Sequence, residues 1–425
     1  MAKVIRCHWQ SELSSRLPRR DRRGCDYGAY VPDPLSGRPI VLDGEVAADV
    51  ADAERAITEL NLRASVLVDT EALARLLLRA ESVASSKIEG LEVGGRRLMR
   101  AEAARELGAQ STDVTAAEVL GNIDAMAWAI GGLEQAGTIT LDHLLEIHRR
   151  LLAGTRLHSH AGVIRTTQNW IGGSDYNPCS AAFVPPPPEL VPELLHDLVA
   201  FCNGDSLPTV AQAAFAHAQF ETIHPFVDGN GRTGRALVHL VLRRRGLATR
   251  VIVPVSLILA TWSQSYVAGL DATRYRGPAT SRAAVDGCNQ WVALFAAACR
   301  RAVEDVNTFE ARTLAIQTAW RKQLDTVRAG SSVDLLLRVL PGAPIITVKS
   351  AAAMIGRSFE ATNNAVERLA AADVLQQVKV GRRYRAFEAP DILQAFTDLE
   401  RRLASPGGDT RSSPPARPSP RRRVL

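Results

Sequence analysis

Along most of the chain, apolar residues recur at intervals of three and four, the spacing of one face of an α-helix. Val46, Val50, Ala53 and Ile57 mark such a face and predict a helix over 46–61; Leu73, Leu76 and Leu77 predict a second over 70–84. The same period predicts helices over 115–134, 140–152, 189–203, 210–223, 232–245, 256–270 and 290–324. Thr140 stands where an N-cap belongs, and Gly246 where a helix closes. The period is lost twice. Between Gly162 and Phe183 the pattern predicts two short strands around a Gly/Asp/Asn turn, a hairpin ended by Pro185–Pro188. From Val333 onward, short helices are predicted over 335–340 and 348–355, a longer one over 359–371, and two strands within 374–387 around Gly381, Arg382 and Arg383. Three helices followed by a basic hairpin is the order of a winged helix-turn-helix. The expected fold is therefore mainly α, with a β-hairpin flap and a C-terminal winged helix.

Composition narrows the class without naming a function. Of 425 residues, 46% are apolar and 23% charged, the make-up of a soluble globular protein of two or three domains. Lys and Arg number 51 against 45 Asp and Glu, an excess of six that is concentrated at the two ends, at 16–23 and 411–423. Charge runs at termini are ordinarily solvated and say little about a partner. The six cysteines are scattered with no C-x-x-C pair, so reduced thiols are expected and no metal cage. No apolar run is long enough to span a bilayer, and the start lacks the apolar core of a signal peptide. A cytoplasmic protein without membrane contact is expected.

The chemistry gathers in one stretch. Residues 224–235 read His-Pro-Phe-Val-Asp-Gly-Asn-Gly-Arg-Thr-Gly-Arg, a loop leading from one predicted helix into the next. Gly229 and Gly231 allow close backbone approach, and the opening N–H groups of the second helix favour a phosphate. Arg232 and Arg235, three apart, share a helix face and suit a polyphosphate. Asp228 offers a hard oxygen for Mg²⁺, and His224 is the loop's proton acceptor near neutral pH. The Gly229-x-Gly231-x-x-Gly234 spacing also fits a dinucleotide fingerprint, but that needs a preceding strand and a later carboxylate, and both are missing here. Neither the kinase motifs nor a G-x-x-x-x-G-K-[ST] loop is present.

The stretch resembles the Fic family signature H-P-F-x-[DE]-G-N-G-R-x-x-R at every fixed position. The resemblance implies a protein adenylyltransferase, which moves AMP from ATP with Mg²⁺ to a Ser, Thr or Tyr hydroxyl of a protein target. On that reading His224 is the general base and Asp228 binds the metal. Gly229, Asn230 and Gly231 hold the α-phosphate, Arg232 serves the β-phosphate, Arg235 grips the γ-phosphate, and Phe226 anchors the loop. Ser85-x-x-x-Glu89-Gly90 is similar to the family's inhibitory pattern, which implies a Glu89–Arg235 pair that blocks the γ-phosphate site. Arg165, Thr166, Trp170, Ile171, Phe183 and Val184 are similar to a target-docking flap, and Tyr266 lies where an aromatic packs near adenine or simply in the core. The other histidines, among them His217, His196, His239, His158 and His160, are expected to be structural or on the surface.

The expected domains are a flexible basic segment at 1–29, a Fic N-terminal domain at 30–110 and a catalytic domain at 111–310. A linker helix at 311–332, a winged helix at 333–400 and a disordered basic tail at 401–425 complete the chain. In the winged helix Thr362, Asn363, Asn364 and Arg368 would face bases, and Lys379, Arg382, Arg383 and Arg385 phosphates, unless the module serves protein docking or a homodimer. Self-modification stays open as an outcome. Two other readings remain: removal of AMP, or transfer of another phosphate-containing group, by the same residues; and a DNA-binding regulator with a non-catalytic core.

Overall fold

The computed structural model describes residues 1–10, 18, 21–64, 70–106, 108, 113–132, 137–380 and 384–404. In chain order the elements are β1 (Lys3–Trp9), β2 (Cys25–Val31), α1 (Gly44–Ala64), α2 (Thr70–Ile88), α3 (Gly95–Glu106), α4 (Val114–Gly132), α5 (Leu141–Leu152), α6 (Val191–Asn203), α7 (Thr209–Ile223), α8 (Asn230–Arg244), α9 (Val255–Thr261) and α10 (Ser263–Ala272). Then follow α11 (Arg282–Gln323), α12 (Ser332–Val339), β3 (Ile345–Ile346), α13 (Val348–Ile355), α14 (Phe359–Ala371), β4 (Gln376–Val380), β5 (Tyr384–Glu388) and α15 (Pro390–Ala404). The chain is mainly helical, as its periodicity predicts.

Two compact units result. One comprises Met1–Glu54, Trp128–Gly246 and Gln264–Ala297; the other comprises Arg55–Ala127, Leu247–Ser263 and Ala298–Leu425. They interleave along the sequence, whereas the expected domains ran end to end.

In the first unit, α7 is buried at every one of its 15 residues, and α8 is buried from Asn230 to Leu242. Alanine at 211, 213, 214, 216 and 218 gives α7 a slim profile that lets its neighbours close on all sides. The polar groups this buries must be matched. Gln212 donates to the carbonyls of Phe201 and Gly204, Thr222 to that of Ala218, and Gln219 to that of Asp33. Thr140 caps α5 as expected, accepting from the His143 N–H in a reciprocal box.

The N-terminal segment departs from expectation. Its residues 3–9 and 25–31 are not loose but pair as an antiparallel hairpin, Lys3 opposite Val31 through Trp9 opposite Cys25. The reduced-thiol expectation fails here as well, because Cys25 and Cys179 form a disulfide. Cys7, Cys202, Cys288 and Cys299 are thiols outside any disulfide. Scattered cysteines carry no pairing information, and only the fold brings positions 154 apart in sequence together.

In the second unit, Val83, Leu91, Val93, Leu98, Val119 and Leu120 join α2, α3 and α4 in one core. The buried Glu81 carboxylate caps α9, accepting from the N–H and hydroxyl of Ser256. α3 was not foreseen, and α9 and α10 divide at Trp262 where one helix was expected. The C-terminal elements run α12, β3, α13, α14, β4, β5, with sheet order β3-β5-β4, around Leu336, Leu340, Ile346, Val366, Leu369 and Phe387. α15 continues to Ala404, past the expected start of the tail; Arg382, Arg383 and 405–425 lie outside the described residues. Among the described residues, no helix is long and apolar enough to cross a membrane.

Candidate active site

His-Pro ends α7 by chain chemistry, since the residue before proline is driven out of the helical region. His224 sits at φ 50, ψ 60, in the left-handed region, and its N–H closes the helix on the Phe220 carbonyl at 2.9 Å. A non-glycine residue held there marks a backbone that its surroundings dictate. The surroundings are donors aimed at the loop's carbonyls. Arg165 Nε and Asn169 Nδ2 donate to His224 O at 2.8 and 3.1 Å, and the Arg165 N–H donates to Pro225 O at 2.9 Å. Phe226 O accepts from Asn169 at 2.9 Å and from Asn230 at 2.8 Å, while the Phe226 N–H donates to Asn230 Oδ1 at 2.8 Å. Asp228 O pairs with His148 Nε2 at 2.9 Å.

Gly229, at φ 77, turns the chain into α8; a Cβ there would stand 2.8 Å from Leu151. Beyond it the first N–H groups of α8 have no helical acceptor and carry the positive end of the dipole. The Asp228 side chain is about half exposed, 3.6 Å from Arg232 Nη2. Arg232 and Arg235 are 3% and 1% exposed. Among the described residues, Arg232 Nε and Nη1 find no hydrogen-bond partner. His224 is the more accessible partner of the buried Glu221 carboxylate, 3.9 Å from its Nδ1. Loop backbone, helix start, carboxylate and guanidinium are thus neighbours, a set of groups suited to an anion.

Deeper in the same unit, His217 lies fully buried against Tyr266, its Nε2 2.8 Å from the phenol oxygen. Burial, helped by the Arg235 charge, lowers its pKa to about 3, so the ring is neutral. Tyr266, 4% exposed, is a core residue, and His239 is buried as well; His196, His158 and His160 are exposed.

The flap region holds part of its expected form. Ile171 and Phe183 make a single antiparallel bridge where two strands were expected. Thr166 is exposed, and Trp170, Ile171 and Phe183 are half-buried. Arg165 and Val184 are 3% and 7% exposed and face inward, so neither is offered to a target. Burial lowers the Arg165 pKa to about 10 and five hydrogen bonds from its side chain and N–H tie it to the carbonyls of Thr167, Pro186, Ile223, His224 and Pro225. The flap is pinned to the N-terminal hairpin by Cys25–Cys179, by Trp9 edge-on to Trp170, and by Ser174 and Asn177 donating to Asp21.

In the second unit, Ser85 is buried in the last turn of α2, and Glu89, exposed, caps its end. The Leu91 N–H bonds Ser86 O and the Gly90 N–H bonds Lys87 O, with Gly90 at φ 80, a Schellman closure. This explains why the pattern ends in glycine: only a residue tolerant of the left-handed region fits after the glutamate.

Residues 138–242 match the Fic/DOC family model, and residues 47–131 match the Fic/DOC family N-terminal model. Over these two segments the chain is similar to the Fic/DOC family. Over 139 residues it is 40% identical to the protein adenylyltransferase fic-1 of Caenorhabditis elegans, covering 32% of this chain and 25% of that one. Over 140 residues it is 39% identical to the protein adenylyltransferase Fic of Drosophila grimshawi, covering 32% and 27%. The chain therefore spans about a quarter of the length of these relatives. A Fic family protein of Desulfovibrio desulfuricans shares the fold, with a TM-score of 0.51 at 20% identity over 83% of this chain and 98% of that one.

Three residues that hold the loop have roles the sequence pattern did not disclose in full: Asn230 within it, and Asn169 and His148 outside it. Asn230 was read as a phosphate ligand, but both ends of its amide hold Phe226, which leaves the helix-start N–H groups to meet a ligand. Asn169 was not singled out. His148 was not either, though its place on the buried face of α5 with Leu144, Ile147 and Leu151 was readable. On the C-terminal helix α14, Thr362 is buried with its hydroxyl on Ser358 O, and Arg368 donates to the carbonyls of Leu324 and Thr326. Asn363 bonds Glu367, whereas Asn364 and Phe359 are exposed. The expected row of base-reading side chains is thus largely turned to other work.

Proposed function

We propose that this chain is a protein adenylyltransferase, transferring AMP from ATP to a hydroxyl of a protein target. The observation that carries the reading is the start of α8, where a buried guanidinium with uncommitted donors, open N–H groups and a neighbouring half-exposed carboxylate adjoin His224. A buried guanidinium with only one long pair, to Asp228, and two nitrogens without hydrogen-bond partners among the described residues is costly, and a polyphosphate would relieve that cost. Support also comes from relatives named protein adenylyltransferases, which match over the Fic domain.

Attack of the hydroxyl oxygen on the α-phosphorus forms the P–O bond to protein and breaks the bond to the departing pyrophosphate. His224 takes the hydroxyl proton. Helix-start N–H groups at Asn230 and Gly231 receive the negative charge that develops on the α-phosphate. Arg232 and Arg235 hold the departing phosphates. Asp228 would hold Mg²⁺, and a single exposed carboxylate fits an ion that takes its other oxygens from phosphates and water. The metal would supply charge neutralisation at the phosphates.

On this reading Glu89, the acid of the inhibitory pattern, restrains transfer. As an acid at a helix C-terminus it stands at the unfavourable end of the dipole, which gives it a standing preference for a cation. α-Labelled ATP should mark protein and γ-labelled ATP should not; marking by the γ-label would refute AMP transfer. Loss of label from a protein already carrying AMP would instead support removal. The C-terminal elements follow the order of a winged helix, but α14 exposes Phe359, Glu360 and Glu367, a surface better suited to protein than to DNA.

A further inference from the structure

His148 is absent from every role assigned so far, yet one ring makes three contacts with the Fic loop and its support. Its face lies parallel to Phe226, centroids 3.7 Å apart and planes 5° apart. Its Nδ1 accepts the Gly162 N–H at 3.0 Å. Because Nδ1 is an acceptor, the ring proton sits on Nε2, which donates to Asp228 O at 2.9 Å. The ring also closes on Gly229, since a Cβ at that glycine would stand 3.5 Å from it. His148 is 0% exposed and α5 carries it on the face that packs against α8.

These contacts fall at the three points that set where Asp228 aims. The stack fixes the anchor two residues before it, the hydrogen bond fixes its own carbonyl, and the edge fixes the turn after it. Gly162 lies three residues before Arg165, whose guanidinium and N–H hold the carbonyls of His224 and Pro225. One ring therefore joins the carboxylate end of the loop to the segment that holds its histidine end. We propose that His148 is a positioning residue that holds the Asp228 carboxylate and the helix-start N–H groups in register for Mg²⁺–ATP. This deepens the transferase reading and rests on it for its kinetic consequence. The neutral rival is an ordinary core histidine, for which any flat ring would serve.

The two differ in what substitution does. His148→Phe keeps the stack and the volume but loses both hydrogen bonds; His148→Gln loses the stack but keeps a donor near the place of Nε2. Both are made in the full chain, alone and with Glu89→Gly. The proposal expects His148→Phe to unfold cooperatively yet bind Mg²⁺–ATP roughly 10- to 100-fold more weakly by calorimetry. It also expects faster amide exchange at 226–230, and partial recovery of affinity and exchange protection in His148→Gln. With Glu89→Gly, the KM for Mg²⁺–ATP should rise alongside. Wild-type affinity and exchange in His148→Phe overturn the proposal, as does a His148→Gln no better than His148→Phe. Loss of cooperative unfolding in both also overturns it, since a core role then suffices. Should Glu89→Gly transfer no AMP, the transferase reading fails, and binding and exchange still decide the role of His148.

Discussion

Arg232 is a guanidinium at 3% exposure with two nitrogens uncommitted among the described residues, and such a group destabilises the fold that holds it. Its presence makes sense if a ligand completes it. Arg232→Met should therefore leave the melting temperature unchanged or higher while ATP affinity falls by about 10- to 100-fold, the worth of one or two charge-assisted hydrogen bonds. Scanning calorimetry and titration on the same preparation check both halves, and a variant that melts early with affinity intact would contradict the assignment. His217 offers a test of a different kind. Its folded pKa of about 3 lies below the ordinary 6.5, so between those values the unfolded chain holds a proton the folded one refuses. That contribution to stability is complete above pH 6.5 and declines as the pH falls toward 3, with a slope of about 1.4 kcal/mol per pH unit. His217→Gln, which can still bond Tyr266, should flatten the acid limb of a denaturant-measured stability profile; an unaltered limb would count against a neutral buried ring. At this scale the sequence disclosed what lies in one contiguous stretch. His224, Asp228, Arg232 and Arg235 were legible because loop chemistry is local. Arg165, Asn169 and His148 were misread or missed because their meaning depends on which distant carbonyls the fold brings to them.

Among the elements, the long amphipathic helices were readable from period alone, and Thr140 announced α5. α3 was not, because Arg96, Arg97, Arg100 and Arg105 dominate its twelve residues and only Leu98, Met99 and small side chains are buried. It is held instead by pairs such as Arg100 with Glu388 and Arg79 with Glu102, which no periodicity records. β1 and β2 were hidden by a basic stretch around them, and their pairing is non-local by nature. The hairpin matters through the flap. Cys25–Cys179 closes a separation of 154 residues and restrains the segment from Ile171 to Phe183 against β2. Cys179→Ser, or reduction of the wild type, should cost about 2–5 kcal/mol of stability and speed proteolysis between Gly172 and Ser180. Equal cleavage rates with and without reductant would show that the flap is held without the bond.

At the scale of the whole molecule, the division between the two units falls inside α1, α4, α10 and α11 and once between α8 and α9, so no single cut of the chain separates them. The Fic/DOC match lies entirely in the first unit, and the glutamate of the inhibitory pattern lies in the second. The direct measurement is transfer of α-label from ATP with Mg²⁺ to protein by three full-length chains: wild type, Glu89→Gly, and Glu89→Gly with His224→Ala. The account expects little label with the first and strong label with the second. The third should lose it by roughly 100- to 10,000-fold, the range for removing a general base. Label that survives loss of His224, or a Glu89→Gly chain as silent as the wild type while binding ATP, would contradict it.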